Sequence, residues 1–150
     1  MPGKKLQPYL KWAGEWVGRG VTKTDVPVTT RLVIVPRLAG QSLEFLVESI
    51  HSESHALVHG VVALMGVDPD GEVRFIVQST IHGSIVMSVT PEDPGALAIA
   101  GNSVTGNYVV VSLIEENGGL MLTSYWRPAN DPDADPVGYS NVSLKRVTVE

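Results

Sequence analysis

From residue 15 onward the apolar positions fall in short runs rich in Val, Ile and Thr, each ended by Gly, Pro, Asn or Asp. Such runs suit pleated strands and are too short for core helices. They predict ten strands, at 15–24, 28–37, 42–50, 55–67, 72–80, 83–90, 96–101, 104–115, 120–127 and 138–149. The turns between them have identifiable chemistry. Asp68-Pro69-Asp70-Gly71 presets a tight turn, because Pro fixes φ and Gly tolerates a positive one. Asn117-Gly118 is the strongest hairpin signal, Gly40 suits a left-handed turn position, and Pro91-Glu92-Asp93-Pro94-Gly95 reads as a loop. Ahead of the strands, a short helix is expected over Pro8–Ala13, with Pro8 as its first residue and Gly14 just past its end.

Connections this short make neighbouring strands antiparallel. A sheet of about ten such strands is best relieved of its edges by closing on itself. The expected fold is therefore all-β, a single domain over 1–150 forming an antiparallel up-and-down barrel of 8–10 strands, with a β-sandwich as the alternative. Several strands do not alternate: Leu32-Val33-Ile34-Val35, Val61-Val62-Ala63-Leu64-Met65 and Val109-Val110-Val111 are apolar on both faces. Their outer side calls for a cover, either the N-terminal helix or a second copy in a homodimer.

Composition narrows the function classes. The 150-residue chain has no cysteine, which removes disulfides, thiolate metal sites and cysteine nucleophiles. Its net charge is −5 and its basic residues never cluster beyond pairs, so no nucleic-acid footprint is expected. No apolar run reaches the length of a membrane helix, and residues 1–14 lack the apolar centre of a signal peptide. A cytoplasmic protein with neither nucleic-acid nor membrane partners is the expectation.

Gly14-Glu15-Trp16-Val17-Gly18-Arg19-Gly20 resembles the opening strand of nitrobindin and fatty-acid-binding-protein type barrels, within the lipocalin-like (calycin) group. Gly66-Val67-Asp68-Pro69-Asp70-Gly71-Glu72-Val73, then Ser79 and Gly83-Ser84-Ile85, resemble a second calycin-like family of unknown function. Ser143-Leu144-Lys145-Arg146 fits the last strand of such barrels. The resemblance implies Trp16 as a plug at the barrel base and Gly18 as a point of close approach. The nitrobindin likeness implies haem held by a histidine late in the chain. Here His51, His55, His59 and His82 all precede residue 83, and Tyr139 and Asn141 stand near that position; a tyrosine can ligate haem iron. The fatty-acid-binding likeness implies basic residues holding a carboxylate inside the barrel, for which Arg127 and Arg146 are the late arginines.

The residues themselves offer three clusters. His51, His55 and His59, with Glu53, have a helical metal spacing, but on a strand residues four apart lie ~13 Å from one another; an exposed hairpin tip is preferred. Asp131, Asp133 and Asp135 alternate as in a calcium loop, yet Pro136 and Val142 replace its glycine and glutamate; a solvated acidic loop is preferred, with room to lie over a barrel mouth. No metal is expected. His82 and Ser84, read as two apart on a strand, share a face, with Gln78, Thr80, Tyr125 and Arg127 as neighbours. Pointing inward, they would form the polar end of a pocket; pointing outward, which is preferred, they would sit in water. Trp12, Trp16, Phe45, Phe75, Tyr108 and Trp126 supply pocket wall or core, Trp16 and Phe75 foremost.

The leading expectation is a barrel that binds a small apolar or amphipathic ligand through Trp16, Gly18, Phe45, Phe75, His82, Tyr108, Trp126, Arg127 and Tyr139, with no cofactor. The alternatives are an enzyme using His82 as acid or base, a haem protein lacking the last-strand histidine, and a structural dimer with a packed barrel.

Overall fold

The computed structural model describes residues 2–22, 24–90 and 95–148. Residues 91–94 of the expected Pro91–Gly95 loop lie outside the described residues. Ten strands form one closed antiparallel barrel: β1 (Gly14–Thr22), β2 (Pro27–Arg37), β3 (Ser42–His51), β4 (Leu57–Val67), β5 (Val73–Ser79), β6 (Gly83–Thr90), β7 (Ala96–Asn102), β8 (Asn107–Glu116), β9 (Gly119–Pro128) and β10 (Gly138–Arg146). Each pairs with its sequence neighbours, and β10 returns to β1 to close the ring. The up-and-down barrel of the sequence reading is thus the observed fold, and the sandwich is set aside.

The turns take the conformations their residues favour. Asn117 and Gly118 both have positive φ, at 51° and 79°, the arrangement whose twist matches flanking strands. Gly71 and Gly40 are likewise left-handed, at 86° and 83°.

The helix is displaced from the expected one. It spans Pro2–Leu10 (α1), so Pro8 lies inside it and Pro2 is its first residue. Gly14 does not end the helix; it opens β1 with φ 133°, a conformation that favours glycine. The reason is tertiary. Leu6 is fully buried in the core and the Lys5 ammonium donates to the Gly71 carbonyl, so burial fixes the helix despite Pro8. Nor does α1 cover an outer face. It closes the barrel end from which β1 starts. Trp12 and Trp16 are buried there, the Trp16 indole N–H donates to the Trp12 carbonyl (2.9 Å), and the Arg146 guanidinium lies 4.3 Å above the Trp16 ring. Arg146 also donates to the Lys11 and Ala13 carbonyls, left without helical partners (2.8 and 2.6 Å). Lys11 and the Trp12 indole N–H both reach Glu115 and hold its carboxyl below the usual range.

Inside, Phe45, Ala63, Met65, Phe75, Val77, Met87, Leu97, Ile99, Leu113, Leu122 and Val142 form a continuous apolar wall. Outside, Leu64, Ile76 and Val86 lie side by side across β4, β5 and β6, with exposures of 47%, 68% and 62%. Val62 and Val104 extend this patch.

The closing pair β1–β10 depends on glycine. A Cβ at Gly18 would lie 1.8 Å from the Ser143 carbonyl oxygen, and one at Gly20 2.5 Å from that of Asn141. Gly66, also in a strand, has nothing within 4 Å of such a Cβ. Gly18→Ala is expected to cost roughly 2–4 kcal/mol in urea denaturation, whereas Gly66→Ala changes stability by less than about 1 kcal/mol.

Candidate functional site

The barrel encloses a cavity of about 100 Å³ between the α1 plug and the opposite end. Its wall is almost wholly apolar. Phe45 and Phe75 meet within it, ring centroids 5.3 Å apart. Its polar lining is Ser49, His59, Ser124 and Ser140, and no Asp, Glu, Lys or Arg side chain lines it. These four residues lie on β3, β4, β9 and β10, all toward the end opposite α1. A site of apolar wall with a few convergent polar groups is the usual form of a small-molecule pocket.

The polar groups are bonded in pairs. Ser49 Oγ lies 2.8 Å from Thr30 Oγ1, Ser124 Oγ lies 2.9 Å from Ser140 Oγ, and His59 Nε2 lies 2.8 Å from Ser79 Oγ. Ser79 is buried and its Oγ also accepts from the backbone N–H groups of Ile81 and His82 (3.2 and 3.1 Å). Two accepted bonds fill the lone pairs of a hydroxyl, so its proton goes to His59 Nε2. His59 therefore carries its own proton on Nδ1. Burial, and to a smaller degree the neighbouring His82, pushes His59 down to about 4, so it is neutral near pH 7.

His82 differs from both sequence readings. It lies in the β5–β6 turn rather than on a strand, and it is buried, not on the wetted outer wall. It is packed edge-on to Trp126 (centroids 4.9 Å) and to His59 (6.2 Å). Burial lowers its pKa. Its Nδ1 is the buried side-chain nitrogen without a hydrogen-bond partner among the described residues. Trp126 lies across Gly138, its cross-strand neighbour, where a Cβ would come within 2.1 Å of the indole.

The remaining expected site residues separate. Trp16 and Gly18 belong to the closed end and to the β1–β10 seam, not to the cavity lining. Tyr108 and Arg127 pair on the outer wall, the guanidinium 4.4 Å above the ring, because their strands turn Val109 and Trp126 inward. Arg127 therefore holds no carboxylate in the barrel, and Arg146 is engaged with Trp16 and the helix carbonyls. Ser84 is exposed and bonds Gln78 outside, so it shares no face with His82. Thr80 and Tyr125 are exposed as well.

The other clusters take their plain readings. His51 Nδ1 accepts from the Glu53 and Ser54 amides in an exposed turn, and His55 is exposed with φ 61°. Among the described residues no three His, Asp or Glu side chains converge on a metal position. Haem does not fit the residues that the resemblance indicated. Tyr139 (48% exposed) and Asn141 point outward, β10 turns Ser140, Val142 and Leu144 inward, and about 100 Å³ is far below the ~300–1,000 Å³ of pockets for large ligands. The Ser79–His59 contact has the distance of a nucleophile and its base. No carboxylate orients His59, however, and both Ser79 lone pairs are engaged, so the pair fixes a tautomer rather than activating an attack.

Sequence reasoning missed Ser49, His59, Ser124 and Ser140 as a group. The signal available was phase: His59 stands two before Val61 and four before Ala63, on one strand face. The apolar outer residues Val62 and Leu64 masked it.

No protein-family model and no curated protein matches the chain. Among solved structures, the chain is similar to two barrels at TM-scores below 0.5. One is described as EF1p2_mFAP2b bound to DFHBI (TM-score 0.46, 10% identity, covering 98% of this chain and 100% of that one). The other is a de novo designed fluorescence-activating β-barrel (0.42, 14%, 90% and 93%). It is also similar to the crystal structure of Rv2717c from M. tuberculosis, with a TM-score of 0.69 and 14% identity over 98% of each chain. That likeness is one of fold, the closed antiparallel barrel, and it is consistent with the calycin-like architecture.

Proposed function

We propose that this protein binds a small, predominantly apolar molecule inside its barrel. The observation that carries the reading is the cavity of about 100 Å³ with an apolar wall and one polar end. A barrel packed solid as a structural element would leave no such space at the usual packing density. Apolar cavities of comparable size stay dry and take up benzene or xenon. Burying ligand surface there supplies roughly 25 cal/mol per Å², less the cost of association.

We further propose that the protein works as a homodimer through the β4–β6 face. Leu64, Ile76 and Val86 form an exposed apolar row, and Val62 and Val104 enlarge it toward the few hundred Å² at which exposed patches mark interfaces. The polar residues bordering it, Gln78, Ser84 and Asn102, are uncharged. Like charges brought together across an interface are unfavourable, and these three residues bring none.

Three outcomes are expected. Benzene near its solubility limit raises Tm by about 2–6 °C in wild type, and Ala63→Leu, which fills the cavity, abolishes the shift; no shift in wild type would remove the binding reading. Light scattering on a sizing column gives twice the chain mass for wild type and the single chain mass for Ile76→Lys; a monomeric wild type at tens of micromolar removes the dimer. Urea titrations between pH 7 and pH 4 report His59. Its folded pKa lies below the unfolded value, so the unfolded chain binds the extra proton. Stability is therefore full above about pH 6.5 and falls toward pH 4, by up to roughly 3 kcal/mol, with a shallower slope in His59→Asn.

A further inference from the structure

The cavity's polar groups differ in what they have left to offer. The Ser49–Thr30 and Ser124–Ser140 hydroxyls pair with one another and can donate or accept in either sense. His59 has no such freedom. Ser79 Oγ, with both lone pairs engaged by the Ile81 and His82 amides, gives its proton to His59 Nε2. The ring is left with one function, an Nδ1–H donor, and among the described residues nothing accepts from it. His59 lines the cavity. His59 is partly buried and its Nδ1 is not sealed in the core, so a donor held in one tautomer is accessible to an acceptor brought into the cavity.

The lining also restricts charge. No cationic side chain is present to receive a carboxylate and no acidic one to receive an amine. An ion placed there would lose its hydration without a partner. The two late arginines, which could have served an anion, are both engaged elsewhere.

We propose that the ligand is an uncharged small molecule whose polar atom is a hydrogen-bond acceptor, such as a ketone or aldehyde oxygen, received by the Nδ1–H of His59. Ser79 is a positioning residue that sets the tautomer. This rests on the binding reading above and narrows it by chemical class.

Three probes of similar size test it, namely cyclopentanone, cyclopentane and butyrate, with affinities read from thermal shift and ligand-detected NMR. Cyclopentanone and cyclopentane are expected to enter wild type, and butyrate to bind at least about a hundredfold more weakly than the ketone. His59→Phe should weaken the ketone about fivefold to tenfold and leave cyclopentane unchanged or tighter. In wild type the His59 Nδ1–H proton resonance should move with cyclopentanone and stay with cyclopentane, a readout that holds even if His59→Phe fails to fold. Equal effects of His59→Phe on ketone and hydrocarbon, an unmoved Nδ1–H resonance, or butyrate binding as well as the ketone would each overturn the proposal while the cavity reading stands. Failure of both neutral probes to enter wild type would overturn the two together.

Discussion

The polar groups inside this barrel face a largely apolar wall with no charged side chain among them, and most of them are arranged to bond one another or the backbone. A buried hydroxyl or imidazole without a partner costs roughly 1–3 kcal/mol; Thr30, Ser49, Ser79, Ser124, Ser140 and His59 are bonded to one another or to backbone amides, and His82 Nδ1 is the exception. The same constraint keeps His59 neutral, since a proton there would be a charge facing Phe75 and Val77 across an apolar space. It also explains the separation of chemistry along the barrel axis. Charged groups gather instead at the solvent-exposed α1 end, where Lys11 pairs with Glu115 and Arg146 donates to the Lys11 and Ala13 carbonyls.

A ring of ten strands adds a geometric demand to this electrostatic one. Every strand has two neighbours, so any side chain that holds a pair apart opens the wall. The seam between β1 and β10 meets the demand by omission: Gly18 and Gly20 present no Cβ where the β10 backbone passes. Trp16, on the same face, fills the space at the base that those glycines do not. Trp126 over Gly138 repeats the device at the other end, one large ring doing the packing for two positions.

Much of this architecture is legible in the sequence, because turn residues and strand composition act locally. Asn117-Gly118 and Asp68-Pro69-Asp70-Gly71 adopt the turns that their side chains prefer, and the strand runs between them follow. The helix is harder to place, because Pro8 has the chemistry of a helix start, whereas Leu6, four residues into α1, is held by burial that no local pattern displays. The candidate site is the least legible part. Phe45 and Phe75 stand where expected in the wall, but Tyr108, Arg127 and Tyr139 face outward, because strand parity cannot be read where both faces are apolar. Val62 and Leu64 outside look no different from Val61 and Ala63 inside. The serine pair Ser124–Ser140 exists only through the β9–β10 register, which brings together residues sixteen apart in the chain.

The order of strands around the ring has a consequence for how the chain reaches this state. All pairings but one join consecutive strands, and the exception joins the first to the last. Hairpins of the first kind form from local contacts, with little chain to bring together, while the β1–β10 seam closes a loop made of nearly the whole molecule. Assembly then resembles a strip that is laid down quickly and joined slowly. Until the join is made, the two terminal strands are open edges, each a template for another chain, and the time spent in that form sets the window in which copies can pair wrongly.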